Sequence, residues 1–140
     1  MSRIISIGTA VPPYGSEQGS ILDYMISVYN DETASRKLNL LSKHSGISHR
    51  YSVVPDFKNS KSEHLFFSSN HGSPNVEDRL NEYKDKVVPL AIDAIQDAFR
   101  KIDTPFSEFG ITHLITVSCT GLYAPGLDAE LISQMNLPNE

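Results

Sequence analysis

The sequence predicts an α/β domain, and three observations carry that prediction. Residues 111–117 are an apolar, β-branched run bounded by turn formers, too short for a helix, which reads as a buried strand of the parallel type. Residues 3–10 are a second short apolar run, closed off by Gly8 and then by Pro12-Pro13. Between the two lie stretches whose apolar residues recur at helical spacing, the longest over residues 76–102.

Length and composition narrow the field. At 140 residues the chain can bury one core, and nothing in it marks a second domain. With 39% hydrophobic and 21% charged residues it is globular in composition, neither disordered nor membrane-like. Its single cysteine, Cys119, excludes an internal disulfide and a cysteine-based zinc site, which fits a reducing, cytoplasmic setting. Met1 leads straight into a strand-like run without the long hydrophobic core of a secretory signal, and no apolar stretch reaches bilayer length. A formal net charge of −5 argues against general nucleic-acid binding.

Taken in order, residues 3–10 form the first strand, after which the prolines and Gly15 impose an extended connection. Ser16, Gln18 and Ser20 offer capping side chains for a helix over residues 17–30. On it Ile21, Leu22, Met25, Ile26 and Val28 share a wide apolar face. A second helix covers residues 33–45 and ends on Gly46 as a left-handed cap. Residues 47–54 alternate as a short strand does. Residues 55–75 form a long polar loop, interrupted by Leu65-Phe66-Phe67, whose length predicts function or mobility. His64 and His71 lie in it, as a metal pair or as plain surface residues.

Ser73 or Asn75 then caps the long helix over residues 76–102. Leu80, Tyr83, Val87, Ala91, Ala94, Ile95, Ala98, Phe99 and Ile102 fall on one side of it, and Pro89 kinks it. The strand over residues 111–117 breaks off at Ser118-Cys119-Thr120-Gly121, and Pro125-Gly126 turns the chain into an amphipathic segment over residues 127–135. A strand ending in small polar residues ahead of a helix is where an open α/β sheet places its ligand.

Two features of the sequence point to chemistry. From Thr33 to Pro55 there is no Asp or Glu, while Arg36, Lys37, Lys43 and Arg50 lie there with His44 and His49. Such a positive island either complements the dipole at a helix end or forms a site for phosphate groups. The second feature is Cys119. A working thiolate needs a neighbouring cation or base, or a helix N-terminus aimed at it. His113 is six residues away, which along an extended chain is roughly 20 Å. Cys119 therefore reads as a structural or pocket-lining residue rather than a nucleophile.

Three strings now converge on one family. ISIGTAVPP at the start, the basic segment ending in ISHRYSV, and ITHLITVSCTGLYAPGLDAEL together resemble the chalcone and stilbene synthases, the type III polyketide synthases. The last string is the most specific and is most similar to bacterial members. The resemblance implies the amino-terminal half of a thiolase-like condensing-enzyme fold, with layered helices and a mixed sheet, working as a homodimer. It also implies an acyltransferase, naringenin-chalcone synthase-like, that loads an acyl group from coenzyme A on a cysteine and extends it with malonyl-CoA by decarboxylative Claisen condensation. Coenzyme A thioesters enter as substrates, and no bound cofactor or metal is implied.

The family's Cys-His-Asn triad is not matched in residues 1–140. By the family pattern the nucleophile falls about ten residues beyond Glu140, within the few-residue slack of such placements, with the histidine and asparagine further on. The chain is thus expected to be an amino-terminal domain that ends before the catalytic cysteine and is inactive alone. Cys119 and Thr120 match pocket-lining positions, and Ala124 stands where plant members send a methionine across the dimer interface. Lys37 matches a lysine that holds coenzyme A phosphates, and His44 replaces another. Leu40 stands in place of an arginine, with Arg36 and Lys43 as candidate substitutes. Two other readings remain: a coenzyme A-primed ketoacyl carrier-protein synthase-like enzyme, and a non-catalytic binding or dimerisation module.

Overall fold

A computed structural model describes residues 2–29, 31–58, 74–102, 105 and 108–138. The chain divides into two compact units, Val11–Asn75 and a second made of Met1–Ala10 with Val76–Glu140.

The first unit is an antiparallel pair of short strands with two helices between them in the chain. Strand β1 (Tyr14–Glu17) leads into helix α1 (Gln18–Tyr29), then helix α2 (Glu32–His44) and strand β2 (His49–Ser52). The strands pair antiparallel, with Tyr14 opposite Ser52 and Glu17 opposite His49. The Gln18 N–H extends the ladder by donating to the Ser48 carbonyl at 2.8 Å. Gly15 lets the Tyr51 ring pack close to the strand, since an added Cβ would lie a tight 3.1 Å from it. Ile21 and Val54 are buried in this unit's core.

Helix α2 starts one residue earlier than predicted because Asp31 caps it, its carboxylate accepting from the Ala34 N–H. The predicted left-handed stop is present, with Gly46 at φ 66°. A 3₁₀ turn over Pro55–Phe57 follows β2 and buries Asp56 completely. Tyr24 of α1 meets Phe57 edge to face at 5.2 Å. Burial, and secondarily the Asp56 carboxylate, pushes the Tyr24 phenol up to about 12. Strand β1 was not predicted: residues 14–17 read as connection and cap. The Ser16 hydroxyl makes no capping bond, being buried without a hydrogen-bond partner.

The second unit is organised around helix α3 (Val76–Arg100), which carries Pro89 within it on an exposed face. Val88 is buried, and the nine residues predicted to share one side are all partly covered, as the helical spacing requires. Helix α4 (Leu127–Gln134) packs on α3 and buries Leu131.

The two predicted strands of this unit are a correction. Residues 3–10 and 111–117 carry no strand assignment, and the sheet formed by the described residues consists of β1 and β2 alone. A strand needs a neighbour about 4.8 Å away to pair its backbone groups, and the described residues supply none to either segment. Residues 5–10 nevertheless keep a period of two. Ser6, Gly8 and Ala10 are partly covered, while Ile5, Ile7 and Thr9 are exposed.

Their small side chains let the segment lie along α3. The Ser6 hydroxyl donates to the Ala98 carbonyl at 2.7 Å, and a Cβ on Gly8 would sit 1.9 Å from the Ala94 carbonyl oxygen. Asp97 fixes the register by accepting from the Thr9 N–H at 2.9 Å and from Lys101 at 2.6 Å, while Lys101 also donates to the Ile7 carbonyl at 3.1 Å. The predicted loop over residues 55–75 lies mostly outside the described residues, and with it His64, His71 and Ser73.

Candidate functional site

The predicted site residues fall into two groups, one in each unit. In the first unit, Arg36, Lys37, Lys43 and His44 all project from α2 and are exposed. Their charges are not equally available. Arg36 is held by Glu32 one turn earlier, at 2.5 Å, whereas Lys37 and Lys43 have no ion pair among the described residues. Lys37 and His44 are seven residues apart, which places them about 10 Å apart along one side of the helix. Leu40 between them is 61% exposed, so this face is open to a ligand along its length.

Arg50 of β2 belongs to the same positive island. Its Nε–H donates to Gln18 Oε1 at 2.6 Å, and Gln18 Nε2 lies 3.5 Å from the Ser42 hydroxyl. Gln18 thereby ties β2 to the last turn of α2. Sequence reasoning took Gln18 as a capping residue; no local pattern signals a link between positions 32 residues apart. Beside it an open cleft of about 560 Å³ runs between α1 and α2, lined by Leu22, Met25, Leu38 and Leu41 with Gln18 and Arg50.

In the second unit, Cys119, Thr120 and Ala124 sit in the turn ahead of α4, and all three are exposed. A relay of hydroxyls shapes this turn. Ser118 donates to the Thr120 carbonyl at 2.8 Å and accepts from the Tyr83 hydroxyl at 3.0 Å. Gly121 has φ 74°, and an added Cβ would lie 2.0 Å from the Tyr83 ring. Tyr123 meets Tyr83 edge to face at 6.2 Å, with the Lys84 ammonium 5.2 Å from its ring centre. Burial, then the nearby Glu130 carboxylate, pushes the Tyr123 phenol up.

Tyr83 is the residue that sequence reasoning missed. It was read only as part of an apolar helix face, and nothing in that pattern shows that its hydroxyl anchors the turn around Cys119. The Cys119 thiol itself has no hydrogen-bonding base among the described residues, and His113 is exposed with its Nδ1 engaged by the Thr112 hydroxyl at 2.9 Å. No group of three or more metal-ligating side chains occurs among the described residues, and none of their helices is long and apolar enough to cross a membrane.

Comparison with known proteins places this geometry. The chain is 28% identical to bisdemethoxycurcumin synthase of Oryza sativa subsp. japonica, over 98% of the chain and 34% of the relative. It is 28% identical to type III polyketide synthase C of Arabidopsis thaliana, over 99% of the chain and 35% of the relative. A crystal structure of PKS-I from the brown alga Ectocarpus siliculosus superposes with a TM-score of 0.77 at 30% identity, covering 96% of this chain and 36% of that one. The chain thus spans about a third of the length of the relatives it matches and shares the fold of that part of a type III polyketide synthase. These relatives are from plants and an alga, and lend no support to the bacterial-type reading. The family model described as "Chalcone and stilbene synthases, N-terminal domain" matches residues 1–140 in full, and the chain belongs to that family.

Proposed function

We propose that the chain is the amino-terminal segment of a type III polyketide synthase. The complete enzyme is an acyltransferase that condenses an acyl-CoA starter with malonyl-CoA. The observation that carries this reading is the family match over the whole chain, at about a third of the relatives' length. In this reading the cysteine nucleophile, histidine and asparagine belong to the part of the relatives' length that residues 1–140 do not span, and the enzyme works as a homodimer in the cytoplasm.

The residues of this chain then have supporting roles. Lys37 and Lys43, which have no ion pair among the described residues, take the phosphates of coenzyme A, with His44 and Arg36 at the same face. Each such charge-assisted contact contributes about 1.5–3 kcal/mol. Cys119 and Thr120 line the acyl pocket, on a turn whose shape Tyr83 and Gly121 fix, and Ala124 meets the second subunit. The chemistry itself is carbon–carbon bond formation. Malonyl-CoA loses CO₂, and the carbanion left on its α-carbon attacks the acyl thioester carbonyl, releasing the enzyme thiolate.

The test is kinetic. In the complete enzyme, Lys37→Ala is expected to raise KM for acyl-CoA with little change in kcat, the pattern of lost ground-state binding. The effect should shrink as salt rises, because a contact already screened contributes less. An unchanged KM at low ionic strength overturns the coenzyme A assignment.

A further inference from the structure

We propose that the cleft between α1 and α2 binds a fatty carboxylate, with its head on Arg50 and its tail against Met25 and Leu38. The cleft shares His44 with the face of α2 that carries Lys37, but the cation at its head is Arg50, which the coenzyme A reading does not use. Its volume, about 560 Å³, lies in the range of clefts that take small molecules, roughly 300–1,000 Å³.

The cleft is polarised along its length. Gln18 begins α1 and approaches Ser42 near the end of α2, so the two helices run antiparallel and the polar groups gather at one end. Arg50 joins them there through its bond to Gln18. From Gln18 to Met25 is seven residues of helix, about 10 Å. Over that distance the lining is apolar: Leu22 and Met25 on one helix, Leu38 and Leu41 on the other. Leu41 is 68% exposed, which for a leucine beside a cleft is apolar surface left for a ligand to cover. One charged end and one apolar end fit a single-chain amphiphile.

The head must be an anion of single charge. The segment from Thr33 to Pro55 holds no acid, and no carboxylate lines the cleft. Gln18 occupies the Arg50 Nε–H, and the two terminal nitrogens of the guanidinium have no partner among the described residues. Their paired N–H groups match the two oxygens of a carboxylate. His44 lines the cleft as well, while Lys37 and Lys43 do not, so Arg50 is the one permanently charged side chain beside the head, which suits a carboxylate better than a phosphate dianion.

The test measures binding of dodecanoate to the full chain by calorimetry. Saturable binding is expected, tightening roughly fourfold per methylene from octanoate to dodecanoate as apolar surface is covered. Arg50→Gln should weaken it roughly ten- to a hundredfold, the loss of a charged hydrogen bond. Leu41→Asp, on an exposed position that folding tolerates, should weaken it as well, and Lys37→Ala should leave it unchanged. Dodecyl phosphate should bind more weakly. Absence of saturable binding overturns the proposal, as does equal affinity for dodecanol. Sensitivity to Lys37→Ala equal to that to Arg50→Gln assigns the cleft to the coenzyme A site and likewise overturns it. Failure of coenzyme A to bind anywhere would count against the proposed function and leave this site standing.

Discussion

Gly121 shows how much of the turn around Cys119 rests on one residue without a side chain. At φ 74° an L-residue is strained, and the Tyr83 ring fills the place of its Cβ. Gly121→Ala is therefore expected to destabilise the second unit by about 1–3 kcal/mol, read as a lower midpoint in denaturant at unchanged slope. A midpoint equal to the parent's would show that the turn is not held as described. The same residue marks the limit of sequence reading at this scale. A glycine after Ser118-Cys119-Thr120 announces a turn, but the Tyr83 ring that fills the place of its side chain comes from 38 positions earlier. Gly46 is the opposite case. Its role as a helix stop is local, set by the helix before it, and could be read directly.

Helices were legible for the same reason. The apolar face of α3 and the stop of α2 depend on residues three to four apart, which any window of sequence contains. Strands depend on a partner, so residues 3–10 and 111–117 have the composition of strands and no ladder among the described residues. What docks residues 6–9 instead is the polar set on α3, and it carries a pH dependence. The Lys101 ammonium, first, and the Thr9 N–H, second, hold the Asp97 carboxyl below its usual range. A carboxyl depressed in the folded state contributes stability that is complete above its ordinary value of about 3.9. That contribution is lost as pH falls through the depressed value. Amide exchange at Thr9 is thus expected to accelerate on acidification below about pH 4, beyond what the ordinary pH dependence of exchange gives. Asp97→Asn should abolish that added step. A Thr9 profile identical in the variant and the parent would contradict the docking.

At the scale of the molecule, the apolar surface of the second unit has a consistent meaning. Ile4, Ile5, Ile7, Ile115, Val117 and Leu122 are each at least 60% exposed, and all belong to the second unit. In relatives about three times as long, such surface has further chain, and in the proposed dimer a second subunit, to meet. In the proposed dimer Leu122 and Ala124 belong to the subunit contact, where a small residue would leave room in the neighbouring acyl pocket. Ala124→Met in the complete enzyme is expected to shift preference toward shorter starters, a methylene in a packed pocket being worth about 1–3 kcal/mol. An unchanged profile across acyl lengths would remove Ala124 from the pocket wall. The family was legible from three strings, because they carry local turn and cap chemistry as well as site residues. The pairing of distant residues, Gln18 with Arg50 and Tyr83 with Ser118, was not. The central claim is that Cys119 is not the nucleophile. Incubating the protein with acyl-CoA and mapping the acyl thioester by peptide mass spectrometry tests it most directly. No adduct is expected on Cys119 in residues 1–140 alone, and in the complete enzyme the adduct should map to a cysteine beyond residue 140. An acyl group on Cys119, abolished together with turnover by Cys119→Ala, would contradict the account.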